Sequence, residues 1–164
     1  MAVWPLTRPA VELPVSSFVA EAFKRDVEVP AIKCVSVTQT SAEKFVALTR
    51  RTAAELAGVG GPQDPADIRH IYDLHMLREH YDFDEVAALA QEIMPHDAEL
   101  VAHQFPAYGD DPIAATKRAV AALAAKGPYE ERYADFCRLM VYGESPLYKA
   151  ALSTVQELAA RLVR

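Results

Sequence analysis

A lysine and an aspartate in two predicted helices have the residue types needed to bind or position a phosphate group. Lys44 lies in the segment TSAEKFVALTRR (residues 40–51), and Asp73 lies in RHIYDLHML (residues 69–77). The Thr-Ser pair that opens the first segment is predicted to cap its helix, which would place Lys44 in the first turn. Because a lysine there opposes the helix dipole, we expect an anion or a carboxylate to be its partner.

Both residues also have simpler structural explanations. Lys44 could extend its amine into solvent along the helix surface. Asp73 stands four residues after Arg69, and such a pair on one helix is worth about 0.3–0.5 kcal/mol. The residues alone therefore leave the functional and the structural interpretation open.

Common metal and phosphate motifs are absent from the sequence, which has no Walker loop, GxGxxG, HExxH or GxSxG string. His70, His75 and His80 are five residues apart, so successive rings diverge by about 140° on a helix and do not converge on one metal ion. The Asp-Phe-Asp string at residues 82–84 resembles a metal-binding carboxylate pair, but its first aspartate suits the N-cap of the next helix. We therefore expect no metal site.

The composition is that of one folded domain. Of 164 residues, 51% are hydrophobic and 24% charged, and the net charge of −6 argues against a general nucleic-acid coat. Residues 1–51 carry seven basic and five acidic side chains, a balance of +2, which leaves −8 for the remainder. A modestly positive end on an acidic body could meet a phosphate group locally.

The cysteine content and the hydropathy pattern indicate a cytoplasmic protein. Cys34 and Cys137 are the two cysteines, more than 100 residues apart, which fits neither a disulfide framework nor a zinc site. No stretch approaches the roughly 18 apolar residues that span a bilayer. The first residues contain two prolines and no apolar segment of the signal-peptide kind. We expect no membrane association.

Apolar periodicity predicts a mainly helical α+β fold with a short β-containing N-terminal edge. Strands are predicted at residues 10–13 and 29–37, with a short helix at residues 15–23 between them. Because two short strands are not stable alone, we expect them to pack on helices or to complete a sheet supplied elsewhere. A bundle of about six amphipathic helices follows.

The helix boundaries are predicted from glycine, proline and aspartate. The second bundle helix should begin at Asp64-Pro65, and the third should begin near Asp84, with a break at Pro95. The side chains expected to face the core from the six helices are Phe45, Thr49, Thr52 and Leu56; Ile68, Ile71, Tyr72 and His75; Val86, Leu89, Ala90 and Ile93; Ile113, Val120, Leu123 and Ala124; Tyr129, Tyr133, Phe136 and Met140; and Leu147, Ala151, Thr154, Leu158 and Leu162.

The strings TSAEKFVALTRR and DIRHIYDLHML together resemble the third and fourth motifs of the AbiEii-type nucleotidyltransferase toxin family, "LAEKLxALxxR" and "RDLYDLxxL". The resemblance covers roughly residues 11–80. It implies a polymerase β-like catalytic core followed by a helical domain, with residues 1–40 as a remnant of the catalytic sheet and residues 41–164 as the helical domain, in one compact unit. Such enzymes transfer a nucleotide from an NTP with magnesium, in some members to tRNA, and often form the toxin half of a toxin–antitoxin pair.

The resemblance also implies roles for individual residues. Lys44 matches the family's lysine and would contact the NTP phosphates, and Asp73 matches its aspartate and would position Lys44 or the reacting groups. Arg69 and His70 flank these two, His70 where many members carry an aspartate. The residues expected to bind the nucleotide around Lys44 and Asp73 are Arg50, Arg51, Arg69 and His70.

One family motif, a Gly-Ser followed by Asp-x-Asp on a strand, is absent from this sequence. Without those carboxylates the metal clamp on the triphosphate does not form. We therefore expect the C-terminal portion of an AbiEii-like nucleotidyltransferase, truncated and inactive alone, for which the family implies Mg and an NTP and which has an antitoxin or another protein as partner. The alternatives are a non-catalytic helical module that binds a protein, and a helical domain without a ligand site.

Overall fold

The computed structural model describes residues 8–59, 65–125 and 127–163, and the fold is mainly α with a short N-terminal β edge, as the sequence predicts. A two-stranded antiparallel sheet precedes the helical bundle. The elements are β1 (Val11–Val15), α1 (Phe18–Ala22), β2 (Val29–Cys34), α2 (Val37–Leu56), a 3₁₀ turn (Pro65–Ile68), α3 (Arg69–Leu77), a second 3₁₀ turn (Arg78–His80), α4 (Phe83–Val101), α5 (Pro106–Asp110), α6 (Pro112–Ala124), α7 (Pro128–Met140) and α8 (Tyr148–Ala160).

The sheet is an antiparallel pair of strands with one apolar and one polar face, and α1 lies in the connection between them; we refer to this unit as the hairpin. In its register Leu13 lies opposite Ile32 on one face, and Glu12 lies opposite Lys33 on the other. Leu13 and Ile32 are 47% and 46% exposed. The predicted strands are therefore present and paired with each other, but no described helix buries their apolar face.

Helix α2 begins earlier than predicted. Its N-cap is Ser36, whose side chain accepts a hydrogen bond from the backbone N–H of Gln39. The expectation that Thr40 or Ser41 caps this helix is wrong, because an equally suitable serine stands two residues after β2. Lys44 lies seven residues beyond the first helical residue and not in the first turn, so the helix dipole gives no reason for its partner.

Of the next two predicted helix starts, one is later than predicted and the other agrees with the structure. The chain after Pro65 first makes a 3₁₀ turn, and α-helix begins only at Arg69, later than predicted; Asp64 lies outside the described residues. The predicted cap at Asp82 is confirmed, since its side chain accepts hydrogen bonds from the backbone N–H groups of Asp84 and Glu85. The Asp-x-Asp string is thus explained by helix capping.

Some predictions about helix continuity and facing are wrong. Helix α4 continues through Pro95 without a break, and α5 has no counterpart among the predicted helices. Four side chains expected in the core are exposed because they lie at helix ends, beyond the neighbouring elements. These are Leu56, Ala124, Met140 and Leu147.

The core lies around α2, which packs against α3, α4 and α6, and α8 packs against the same three helices. Phe45 of α2, Ile71 of α3 and Leu158 of α8 are completely buried there. No helix in the described ranges is long and apolar enough to cross a membrane. The contact between α2 and α3 is the one that brings the two charged segments together.

Candidate functional site

The side chains of Lys44 and Asp73 meet across the contact between α2 and α3. Lys44 Nζ donates a hydrogen bond to Asp73 Oδ2 at 2.6 Å. The two side chains are 26% and 28% exposed, so the pair lies at the edge of the core and is open to solvent on one side. Such a pair is both fixed in position and reachable by a ligand.

Packing next to the pair explains why the two charges face each other. Phe45 and Leu48 of α2 and Ile71 and Leu74 of α3 are buried in the same core cluster. A residue one position from a buried residue is rotated by about 100° around the helix, so Lys44, which precedes Phe45, and Asp73, which precedes Leu74, lie beside the buried stripes. The apolar stripes therefore set the rotation of both helices and leave Lys44 and Asp73 at the border.

His70 approaches the same carboxylate from within α3. The residue is only 8% exposed, and its Nδ1 lies 3.8 Å from Asp73 Oδ2. This nitrogen is buried and has no hydrogen-bond partner in the described part of the chain. Asp73 thus stands between an ammonium group and an imidazole ring.

The environment lowers the pKa values of both His70 and Asp73. Burial lowers the pKa of His70, and the positive charges of Lys44 and Arg69 lower it further, against the opposing effect of Asp73. Burial alone would raise the pKa of Asp73, but its interactions with His70 and Lys44 outweigh burial and lower that pKa. At neutral pH the carboxylate is ionised and the imidazole is neutral.

A second ion pair follows the same helix contact. Arg51 Nη1 contacts Asp67 Oδ1, and Asp67 lies in the 3₁₀ turn before α3. Arg51 is seven residues after Lys44, whereas Asp67 is six residues before Asp73. The two pairs therefore run in opposite chain directions, as expected where two helical segments pack antiparallel, and they line one seam between α2 and α3.

The sequence of this chain also matches a known protein family. Residues 4–161 match the family described as "Nucleotidyl transferase AbiEii toxin, Type IV TA system". The chain belongs to the AbiEii family. No curated protein and no solved structure matches it. The family is a toxin of a toxin–antitoxin system, which implies an antitoxin partner, and its nucleotidyltransferases generally use a nucleotide and a metal ion.

Arg50, one of the predicted nucleotide contacts in this AbiEii chain, faces α4. Its Nε lies 2.8 Å from Asp97 Oδ2, and the Asp97 side chain is only 5% exposed. The angles are not those of a hydrogen bond, so the contact is an ion pair. Burial raises the pKa of Asp97, against the opposing effects of Arg50 and Tyr108. The structure therefore does not bring Arg50 to Lys44, and its nucleotide contact stays a prediction.

Arg69 lies at the seam without a carboxylate of its own. Its side chain is exposed, and it forms no ion pair with the residues described. Asp73, four residues further on, is paired with Lys44 of α2. Asp73 therefore pairs with Lys44 of the neighbouring helix and not with Arg69 of its own helix.

The residues at the seam do not fit a magnesium site. Within residues 8–59, 65–125 and 127–163, no three His, Cys, Asp or Glu residues come together in a way that could hold a metal ion. The carboxylate of Asp73 is of the type that binds magnesium, but it already accepts a hydrogen bond from the ammonium group of Lys44. We assign no step to a metal ion in this chain.

One seam residue was not among those predicted from the sequence. Asp67 is 14% exposed and compensates Arg51, but nothing in its local sequence distinguishes it from other surface carboxylates.

Proposed function

We propose that the seam between α2 and α3 is the phosphate-binding side of a nucleotidyltransferase site. The observation that carries this proposal is the 2.6 Å contact between Lys44 Nζ and Asp73 Oδ2, which joins two segments of a chain that belongs to the AbiEii family. A lysine held by a carboxylate at a partly exposed position is oriented toward an incoming anion, with N–H donors still unused.

Charge at the seam supports an anionic ligand. Lys44, Arg51 and Arg69 bring three positive charges, and Asp67 and Asp73 bring two negative ones, on a chain whose net charge is −6. This local excess of positive charge favours the phosphates of an NTP. Lys44 contacts the phosphates, and Asp73 orients its ammonium group. Arg51 and Arg69 extend the contact along the seam, and His70 lies beside Asp73.

Nucleotide transfer also needs carboxylates that bind a metal ion, and the seam does not supply them. We therefore propose that this chain binds a nucleotide but transfers it, to tRNA or another acceptor, only when those carboxylates are provided from outside the seam. The two cysteines are free in the structure, which fits an enzyme of the reducing cytoplasm.

A nucleotide titration tests the proposal. The wild-type chain, Lys44→Ala and Lys149→Ala are titrated with each Mg–NTP by calorimetry; Lys149 is an exposed lysine on α8 and serves as the matched control. We expect binding by the wild type and by Lys149→Ala, and a loss of at least about tenfold in affinity for Lys44→Ala. Equal affinities in all three proteins, or no binding by a folded wild type, would contradict the proposal.

The hairpin favours a second candidate function, a module that binds another protein. Of the 18 large hydrophobic side chains that the described residues expose, ten lie between Val11 and Val35. Such a concentration of exposed apolar side chains is typical of an interaction surface. Light scattering at micromolar concentration shows whether the chain binds a second copy of itself, and co-purification shows whether it binds the antitoxin. A strictly monomeric chain that leaves the antitoxin unbound would exclude both.

A further inference from the structure

His70 is buried beside the seam, with one ring nitrogen directed at a charged group. Only 8% of the residue is exposed, so the ring is not positioned to touch a nucleotide in solution. Its Nδ1 lies 3.8 Å from Asp73 Oδ2 and has no hydrogen-bond partner in the part of the chain that the structure describes. A buried ring nitrogen without a partner is costly, and such groups often mark a functional constraint.

We infer that His70 is a positioning residue, which carries its proton on Nδ1 and directs that N–H toward Asp73, so that the carboxylate holds Lys44 in place for the phosphates. The inference rests on the proposed function for the role of Lys44. It concerns a residue that acts through Asp73 and does not contact the ligand.

Electrostatics decides between the two neutral forms of the ring. With the proton on Nε2, the lone pair of Nδ1 would face a carboxylate oxygen 3.8 Å away, which is repulsive. With the proton on Nδ1, the N–H dipole points at that oxygen and attracts it. The carboxylate therefore selects the Nδ1–H tautomer.

Burial, helped by the two nearby cations, explains why the ring stays neutral. Asp73 and Arg69 of α3 and Lys44 of α2 act on it, so two cations oppose one anion. Burial and these two cations lower the pKa of His70. A neutral ring supports Asp73 without adding a third positive charge that would compete with Lys44 for the carboxylate.

The tautomer is measured in the free protein by long-range proton–nitrogen NMR near neutral pH, with the His70 signals assigned from their loss in His70→Asn. We expect the Nδ1–H tautomer in the wild type and, in Asp73→Ala, a ring that is no longer held in that form. The Nε2–H tautomer in the wild type, or a tautomer unchanged by Asp73→Ala, would overturn the inference. This measurement needs no nucleotide, so it stands even if the proposed function fails.

The consequence for Lys44 is measured by Mg–NTP titration of two His70 variants. His70→Asn keeps an N–H donor near the position of Nδ1, whereas His70→Leu keeps apolar bulk without a donor. We expect His70→Leu to lose about tenfold in affinity and His70→Asn to stay within about twofold of the wild type. Equal losses in two folded variants would overturn the inference. If His70→Leu does not fold, the tautomer in Asp73→Ala decides the matter.

Discussion

Lys44 Nζ and Asp73 Oδ2 are 2.6 Å apart although 29 positions separate the two residues in the chain. Each side chain remains about one quarter exposed, and the buried apolar stripes of α2 and α3 hold the two helices against each other. Rigid helices thus set the position of a pair that solvent can reach. This combination distinguishes the pair from the more deeply buried pair of Arg50 and Asp97.

The lowered pKa of His70 predicts an acid-sensitive fold. Because the folded state binds a proton at His70 less readily than the unfolded state, whose pKa is near 6.5, the free energy of unfolding should fall as the pH drops below about 6.5. Denaturant titrations between pH 7.5 and 5, roughly spanning that pKa, check this. His70→Gln should reduce the slope, and His75→Gln should reduce it further, because burial also lowers the pKa of His75.

The Arg50–Asp97 ion pair should matter for stability more than for ligand binding. Asp97→Ala leaves a partly buried guanidinium without its partner, and we expect it to lower the free energy of unfolding by about 3 kcal/mol. Chemical denaturation measures this loss. Mg–NTP affinity should stay within about twofold of the wild type, whereas a tenfold loss in the folded variant would place Arg50 in the nucleotide site after all.

Arg69 should contribute to binding without contributing to stability. It is exposed and forms no ion pair with described residues, so Arg69→Gln should change the free energy of unfolding by less than about 0.5 kcal/mol. The same substitution should weaken Mg–NTP binding by about three- to tenfold, through loss of one charge at the seam. Arg118→Gln, at an exposed arginine on α6, is the control and should bind normally.

The hairpin should tolerate truncation of its apolar side chains far better than the bundle does. Leu13 is 47% exposed, and Leu89 is completely buried. We expect Leu13→Ala to cost less than about 1 kcal/mol and Leu89→Ala about 2–5 kcal/mol in denaturant titrations. Similar costs for both variants would mean that the hairpin is covered in solution, as the protein-binding function requires.

Local signals predicted much of this fold. The strands, the Asp82 cap and the buried stripe of Val86, Leu89, Ala90 and Ile93 follow from β-branched residues, capping chemistry and helical spacing. The start of α2 could not be predicted in this way. Ser36 and Thr40 are both suitable N-caps, and the structure shows that the helix begins after Ser36.

The charged partners show where sequence reasoning ends. The motif pair indicated Lys44 and Asp73 individually, but their contact depends on how α2 and α3 pack. Asp97 is the partner of Arg50 because α2 packs on α4, and Asp67 is the partner of Arg51 because α2 also packs against the turn before α3. No local pattern specifies which of two adjacent arginines faces which neighbour. Tertiary geometry therefore separates Arg50 from the seam, although it neighbours Arg51 in the chain.

A double-mutant cycle on Mg–NTP affinity tests whether Lys44 and Asp73 act together on a nucleotide. The wild type, Lys44→Ala, Asp73→Ala and the double variant are titrated at one salt concentration, after each is shown to be folded. If Asp73 acts by orienting Lys44, both single variants should lose affinity and the double variant should be little worse than Lys44→Ala alone. Losses that add, or single variants that bind as the wild type does, would show that the two residues do not act together on the nucleotide.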